Sequence, residues 1–411
     1  MRVVPLDAGL TALGVPPDLP TFDEMADMGQ GYLAGLHSAG MIATGKHFPG
    51  HGDTNVDSHS GLPVVTYDFN TLDTIHGRPF REAVAAGLDC IMTAHIVVTC
   101  LDPDHPATLS QPVLTGYLRN NIGFDGVCMT DSMGMAGITQ GYTVAQATVL
   151  AIQAGNDLLS LPPDLNTAIS ALQSAVATGT ITEARIDQSV IRILKLKRRY
   201  GVFANPYVDP QAASGIVGSA DHRASELSVA RAAITLVQNT GNILPLSLTS
   251  GQKVLLVTVQ SDASYPETTT DAAARFASRI TQKWSNVQSM AINANPNSST
   301  RTSVKNAAAL AYVTIIGTSR ANYVSATQTN VGQKTLVNEL VTAGRKVIVV
   351  GLREPYELAS FPGVNAYLAA YNYKNCGFAA AADVIFGDYN PAGLLPVSIP
   401  GSYAFGWGLS Y

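Results

Sequence analysis

The chain has 411 residues, 46% of them hydrophobic and 13% charged, with a formal net charge of −5 and a mean hydropathy of +0.15. That balance describes a globular protein and argues against a nucleic-acid-binding face or a polybasic membrane surface. No apolar run reaches the ~18 residues a membrane helix needs, and the N-terminus lacks the regions of a secretion signal, so a cytoplasmic protein is expected.

In chain order, Tyr32 to His37 reads as helix, Gly40 interrupts it, and the apolar run Met41 to Thr44 reads as a buried strand. Directly after it comes KHFPGHGDTNVDSH, residues 46 to 59, with three histidines, two aspartates and a lysine on one Gly-rich segment. Loops just beyond the C-terminal ends of strands are where α/β folds build sites. Asp57 and His59 project to the same side if the local chain is extended. A carboxylate beside an imidazole fixes its tautomer and stabilises the imidazolium, so this pair is the expected general acid/base. A lone histidine near a strand end is more often a hydrogen-bonded structural residue, but the whole segment is harder to explain that way. His47, His51, Asp53, Asp57 and His59 also have metal-ligand chemistry. No standard spacing such as HExxH occurs, however, and Lys46 would add a cation, so no metal is expected.

Further on, Asp131 follows Gly126 to Thr130, a run of strand character, and precedes Ser132, Met133 and Gly134. Position alone makes it either a second functional carboxylate at a strand end or the N-cap of a following helix. The basic run Lys195, Lys197, Arg198 and Arg199 closes a helix-like stretch whose Ile186, Val190, Ile193 and Leu194 share a face, and cations suit a helix C-terminus.

Alternating strands and helices from Gly31 to Phe203 stop at a Pro-, Ala-, Gly- and Ser-rich stretch. The expected division is a first domain over residues 1–203, a linker over 204–222 and a second domain over 223–411. In the second, a helix-like segment (Arg223 to Gln238) leads to apolar runs at Val254 to Val259, Val313 to Gly317 and Val347 to Gly351. These suggest an open parallel sheet covered by helices on both faces, and no GxGxxG follows the first run to mark a dinucleotide site. Cys90, Cys100, Cys128 and Cys376 lie in or near apolar strands without paired spacing and are expected to be reduced core residues.

The 46–59 segment resembles the signature of glycoside hydrolase family 3, in particular its β-N-acetylglucosaminidase branch, where KHFPGHG is followed by DSH and then by LP, here Leu62 and Pro63. The resemblance continues, in the family's order, through Ile91 to His95 (IMTAH), Pro106 to Ser110 (PATLS), Gly123 to Ile138 (GFDGVCMTDSMGMAGI), Ala154 to Pro162 (AGNDLLSLP) and the closing Phe405 to Tyr411 (FGWGLSY). It implies that Asp131 is the catalytic nucleophile, that His59 is the acid/base oriented by Asp57, and that Lys46 and His47 hydrogen-bond sugar hydroxyls. It also implies a (β/α)8-type barrel followed by an α/β/α sandwich, with no cofactor, and two displacements giving net retention.

The start departs from the family. Only 45 residues precede Lys46. Asp7, in the VVPLD run, resembles the aspartate ending the family's PVLD strand, and Phe22 falls where the family has the phenylalanine of its RSF element. Pro20 then stands where the family has a substrate-binding arginine, and the family's DQEGG segment has no counterpart. The expected fold is therefore α/β, with a barrel lacking its first strands followed by the sandwich. The leading function is exo-hydrolysis of terminal β-linked N-acetylglucosamine from muropeptide or chitin-derived oligosaccharides. A glycoside phosphorylase, or an inactive sugar-binding or interaction protein, are the alternatives.

Overall fold

The computed structural model describes residues 22–52, 54, 56–260, 271–321 and 329–411, with side chains in the first helix from Ala26 onward. Asp7, Pro20, Asp53 and the side chain of Phe22 lie outside that set. The chain divides into two units, Met1–Val208 and Asp209–Tyr411. The stretch expected as linker carries a short helix, Pro210–Ile216, in which Pro210 takes the first helical turn and the Asp209 side chain accepts the Gln211 N–H at 2.9 Å.

In the first unit the helix Phe22–Ser38 leads to strand β1 (Thr44–Phe48), followed by β2 (Val64–Val65), β3 (Cys90–Thr93), β4 (Val97–Val98), β5 (Asp102–Pro106), β6 (Val127–Ser132) and β7 (Leu158–Ser160). β1, β3, β6 and β7 form a parallel sheet in that order, and β2, β4 and β5 a small second sheet. The strand expected at Met41 to Thr44 in fact begins at Thr44. Met41 and Ile42 are 55% and 40% exposed, the Ala43 N–H donates to the Asp89 carboxylate at 3.0 Å, and the strand ladder starts with Thr44 opposite Cys90. Lys46 and His47 consequently sit within β1 rather than in the loop beyond it.

One face of the parallel sheet is a core: Phe48, Ile91 and Cys128 pack with Phe80, Leu114, Leu118 and Tyr117. On the other, Lys46, Met92 and Met129 share a level by register and are half-exposed. The N-terminal side of β6 and β7 is fixed by Asp157, whose side chain is fully buried. It accepts from Arg119 at 2.7 Å, Ser189 at 2.7 Å, Arg192 at 3.3 Å and the Cys128 N–H at 3.0 Å. The helix Val144–Ala154 before β7 starts in a capping box between Thr143 and Gln146 and stops at Gly155, whose φ of 131° excludes other residues.

The second unit contains β8 (Thr235–Asn239), β9 (Val254–Val259), β10 (Val287–Ile292), β11 (Val313–Thr318), β12 (Val347–Gly351) and β13 (Ala366–Ala369) in the order β10-β9-β11-β12-β13-β8. All neighbours run parallel except β8, which is antiparallel to β13. Fully buried β9, β11 and β12 carry apolar side chains toward both faces, where two separate cores form beneath the covering helices. The helix expected over Arg223 to Gln238 ends at Ala233, and Thr235–Asn239 is strand. β-branched Ile234, Thr235 and Val237 fit a pleated surface better than a helix, and all three are buried there. The closing FGWGLSY segment caps this edge: Leu409 bridges to Leu236, and the Trp407 indole N–H donates to the Val237 carbonyl at 2.9 Å.

Candidate active site

The site is built at the C-terminal ends of β1, β3 and β6. Pairing of β1 with β3 advances from Lys46 opposite Met92 to Phe48 opposite Thr93, leaving His47 as the extra residue of a bulge. Bulges re-aim side chains. The His47 Nε2 lies 3.2 Å from Oδ2 of Asp131, next to last in β6, with the two side chains 21% and 24% exposed. The other carboxylate oxygen, Oδ1, accepts the Ser132 N–H at 2.7 Å. The hydrogen bond from His47 holds the Asp131 carboxyl well below the usual carboxylate range, against the opposing effect of burial, and the Ser132 amide adds to it. Asp131 is thus an ionised carboxylate with solvent access, and the helix N-cap alternative does not apply, since it lies inside the strand.

β3 contributes His95, just past its end. Nε2 donates to the Ser132 carbonyl at 2.9 Å, and Nδ1 lies 2.8 Å from the Thr108 hydroxyl. The carbonyl can only accept, which fixes the proton on Nε2, and burial pushes the imidazole pKa down so that the ring is neutral. The backbone that carries Asp131 is therefore tied to β3 immediately behind the carboxylate.

Asp57 and His59 do come together, though not on extended chain. Residues 58–60 form a turn in which the Ser60 and Gly61 N–H groups donate to the Asp57 carbonyl. The Asp57 Oδ1 accepts both the His59 main-chain N–H at 2.9 Å and its Nδ1–H at 2.8 Å. This loads the proton onto Nδ1 and leaves Nε2 as the exchanging atom of a ring that is 71% exposed. Ser58 seats the turn through its side chain and its carbonyl. His51 reaches Ser58 Oγ through Nε2 at 2.8 Å and Thr54 Oγ1 through Nδ1 at 3.1 Å, with its pKa lowered chiefly by burial. The Gly137 N–H donates to the Ser58 carbonyl at 3.2 Å. A Cβ on Gly137 would lie 3.1 Å from His95 Cβ, 3.3 Å from the Gly61 carbonyl oxygen and 3.4 Å from that of Ser58. The bare glycine lets the turn with the Asp57–His59 pair approach the segment that follows Asp131.

Of the expected site residues, the structure joins His47 to Asp131 and Asp57 to His59, and places Lys46 half-buried on β1, level with Met92 and Met129. The histidines of the segment are turned to protein partners, and among the described residues no group of three or more His, Cys, Asp or Glu is disposed to hold a metal ion. In the sequence His51 stands out only for its metal-ligand chemistry, and nothing marks a role for Ser58, His95, Thr108 or Gly137. His95 and Thr108 lay inside segments matched to the family, but only the approach of β3 to β6 shows what they hold. Gly137 carries no local signal.

Polar side chains gathered at several strand ends of one parallel sheet are the arrangement in which α/β enzymes build their sites. Residues 22–196 match the Glycosyl hydrolase family 3 N terminal domain and residues 234–411 the Glycosyl hydrolase family 3 C-terminal domain. The chain belongs to glycosyl hydrolase family 3, with a TIM-barrel-like domain followed by an α/β sandwich domain. It is 29% identical to β-hexosaminidase A of Pseudoalteromonas piscicida over 90% of its own length and 68% of that protein's. It is 31% identical to the β-N-acetylglucosaminidase/β-glucosidase of Cellulomonas fimi over 58% of its own length and 44% of that protein's. Among solved structures, the family 3 β-N-acetylglucosaminidase from Paenibacillus sp. str. FPU-7 superposes with a TM-score of 0.82 at 29% identity, covering 93% of this chain and 71% of that one. The chain spans about two thirds of the first of these relatives and under half of the second.

Proposed function

We propose that the chain is a retaining β-N-acetylhexosaminidase acting on terminal β-linked N-acetylglucosamine in muropeptide or chitin-derived oligosaccharides. The observation that carries the reading is the pair of preformed contacts, His47 with Asp131 on the ends of β1 and β6 and Asp57 with His59 on a turn that Gly137 ties to the segment after Asp131. An ionised carboxylate suits attack on the anomeric carbon, and an exposed imidazole with a carboxylate behind it suits proton transfer. The names of the Pseudoalteromonas and Paenibacillus relatives point to the same substrate class.

In the first step the Asp131 carboxylate bonds to the anomeric carbon while the bond to the aglycone oxygen breaks and His59 Nε2–H protonates that oxygen. In the second, water attacks the glycosyl-enzyme, its proton passes to His59 Nε2, and Asp131 is freed with net retention. Asp57 holds the imidazole and stabilises its cationic form, which the first step discharges and the second restores. Lys46 and His47 hydrogen-bond the sugar hydroxyls. A fluorinated N-acetylglucosaminyl donor should label Asp131 and leave Asp131→Ala unlabelled. A label mapped to another carboxylate would overturn the assignment. Aryl N-acetyl-β-glucosaminide should be cleaved far faster than aryl β-glucoside, and equal rates would remove the substrate assignment. Product analysis with and without phosphate distinguishes hydrolysis from phosphorolysis.

A further inference from the structure

His76 takes no part in the steps above, yet it touches the loop on which they depend. It ends the helical segment Leu72–His76, is 4% exposed, and stacks on Tyr67 with ring centroids 4.3 Å apart and planes at 16°. Its Cβ–Nδ1 edge lies against the main chain of Gly50. That glycine has φ of +134°, and a Cβ built on it would be 3.0 Å from His76 Cβ and 3.3 Å from Nδ1. Gly50 stands two residues beyond the end of β1, and its N–H donates to the His47 carbonyl at 2.9 Å. The ring is therefore pressed against the turn that separates His47 from His51.

Among the described residues, the Nδ1 of His76 is buried without a hydrogen-bond partner. A proton placed there would meet no acceptor among them, and burial holds the pKa down at about 4, so the ring is neutral near pH 7. Tyr67 is the titratable side chain stacked on the ring. Asp73, on the same helical segment, is taken by Tyr117 OH at 2.9 Å and by Arg81. The Gly50 side presents main chain.

We propose that His76 is a positioning residue, a neutral wedge beneath Gly50 that fixes how the chain leaves β1 and with it the contacts of His47 with Asp131 and of His51 with Ser58. The rate measurements below rest on the hydrolytic reading, whereas the spectroscopic ones do not. His76→Phe keeps an aromatic ring for Tyr67 and Gly50 but has no nitrogen to protonate, while His76→Ala removes the wedge.

Misplacement of reacting groups by about 1 Å can cost ~100-fold. With aryl N-acetyl-β-glucosaminide, His76→Ala should accordingly lower kcat ~10–100-fold with a smaller change in KM, and His76→Phe should stay within about threefold at neutral pH. In NMR spectra of the full chain, the His47 and His51 imidazole signals should show a step near pH 4 that is absent from His76→Phe, under conditions where near-UV circular dichroism reports an intact fold. Unchanged His47 and His51 signals in both variants, or a step that persists in His76→Phe, overturns the proposal. Should the wild type turn over no substrate, the hydrolytic reading fails while these signals still decide the role of His76. If the alanine variant does not fold, the phenylalanine variant decides it alone.

Discussion

The contact between His47 Nε2 and Asp131 Oδ2, at 3.2 Å, links β1 to β6 across the intervening β3, since the sheet order is β1-β3-β6-β7. Neither strand touches the other by main-chain hydrogen bonds. The bulge at His47 supplies the reach, and the carboxylate is held ionised as a result.

Removing that donor should let the Asp131 pKa rise toward the ~3.9 of an ordinary aspartate. The ionised form is the attacking one, so activity is present above the folded-state pKa and lost as pH falls through it. His47→Ala should therefore move the acid limb of the kcat/KM profile to higher pH, as well as lowering the plateau. An acid limb that stays where the wild type has it would show that His47 does not set the charge of Asp131.

Leaving-group dependence tests the Asp57–His59 pair. His59→Ala should slow substrates with poor leaving groups by ~100-fold or more while sparing activated phenols, which need little protonation to depart. Azide should then speed breakdown of the accumulated glycosyl-enzyme, because it requires no general base. Asp57→Ala should give a milder version of the same pattern. Uniform loss across leaving groups, without azide rescue, would make His59 a binding or structural residue.

Below the site, Asp157 neutralises a set of arginines with a fully buried side chain. Asp157→Ala leaves Arg119, Arg185 and Arg192 without their shared carboxylate, and breaking a buried pair in this way costs about 3–5 kcal/mol. The expected readout is a large drop in the urea midpoint, and a change within about 0.5 kcal/mol, typical of surface substitutions, would contradict it.

In the second unit, Glu357 is fully buried and accepts from Thr318 Oγ1 and, at 2.8 Å, from the Ala321 N–H. Burial pushes its pKa from 4.5 up to about 7. The folded state thus keeps a proton that the unfolded chain has released, so this contribution to stability is complete below about pH 4.5 and is lost as pH rises to about 7. Glu357→Gln should remove that slope from a plot of Tm against pH. Parallel curves for the two proteins over this interval would sink the assignment.

Much of this was legible in the residues. The apolar runs that became β9, β11 and β12 are buried on both faces, and such strands announce themselves by continuous hydrophobicity. β10 and β13 were not foreseen: β10 is an edge strand with exposed and half-exposed positions, and β13 is only Ala366–Ala369, too short to stand out. The start of β1 was displaced because Met41 and Ile42 look like strand but point to solvent, where pairing with β3 rather than apolarity decides the boundary.

The sequence by itself determined the chemistry: a segment with Lys46, His47, Asp57 and His59, a carboxylate at Asp131 after a strand, and motifs specific enough to indicate the family. Local patterns can do this because residue type and short spacing fix which protons and charges are at hand. Only the tertiary structure decided that His47 bonds Asp131 across β3, that His95 stays neutral behind the carboxylate, and that bare Gly137 admits the turn of Asp57 and His59. Those relationships depend on strand register, a bulge and the close approach of segments far apart in the chain, and hydrogen bonds and burial act on distance in space, which residue order does not encode locally.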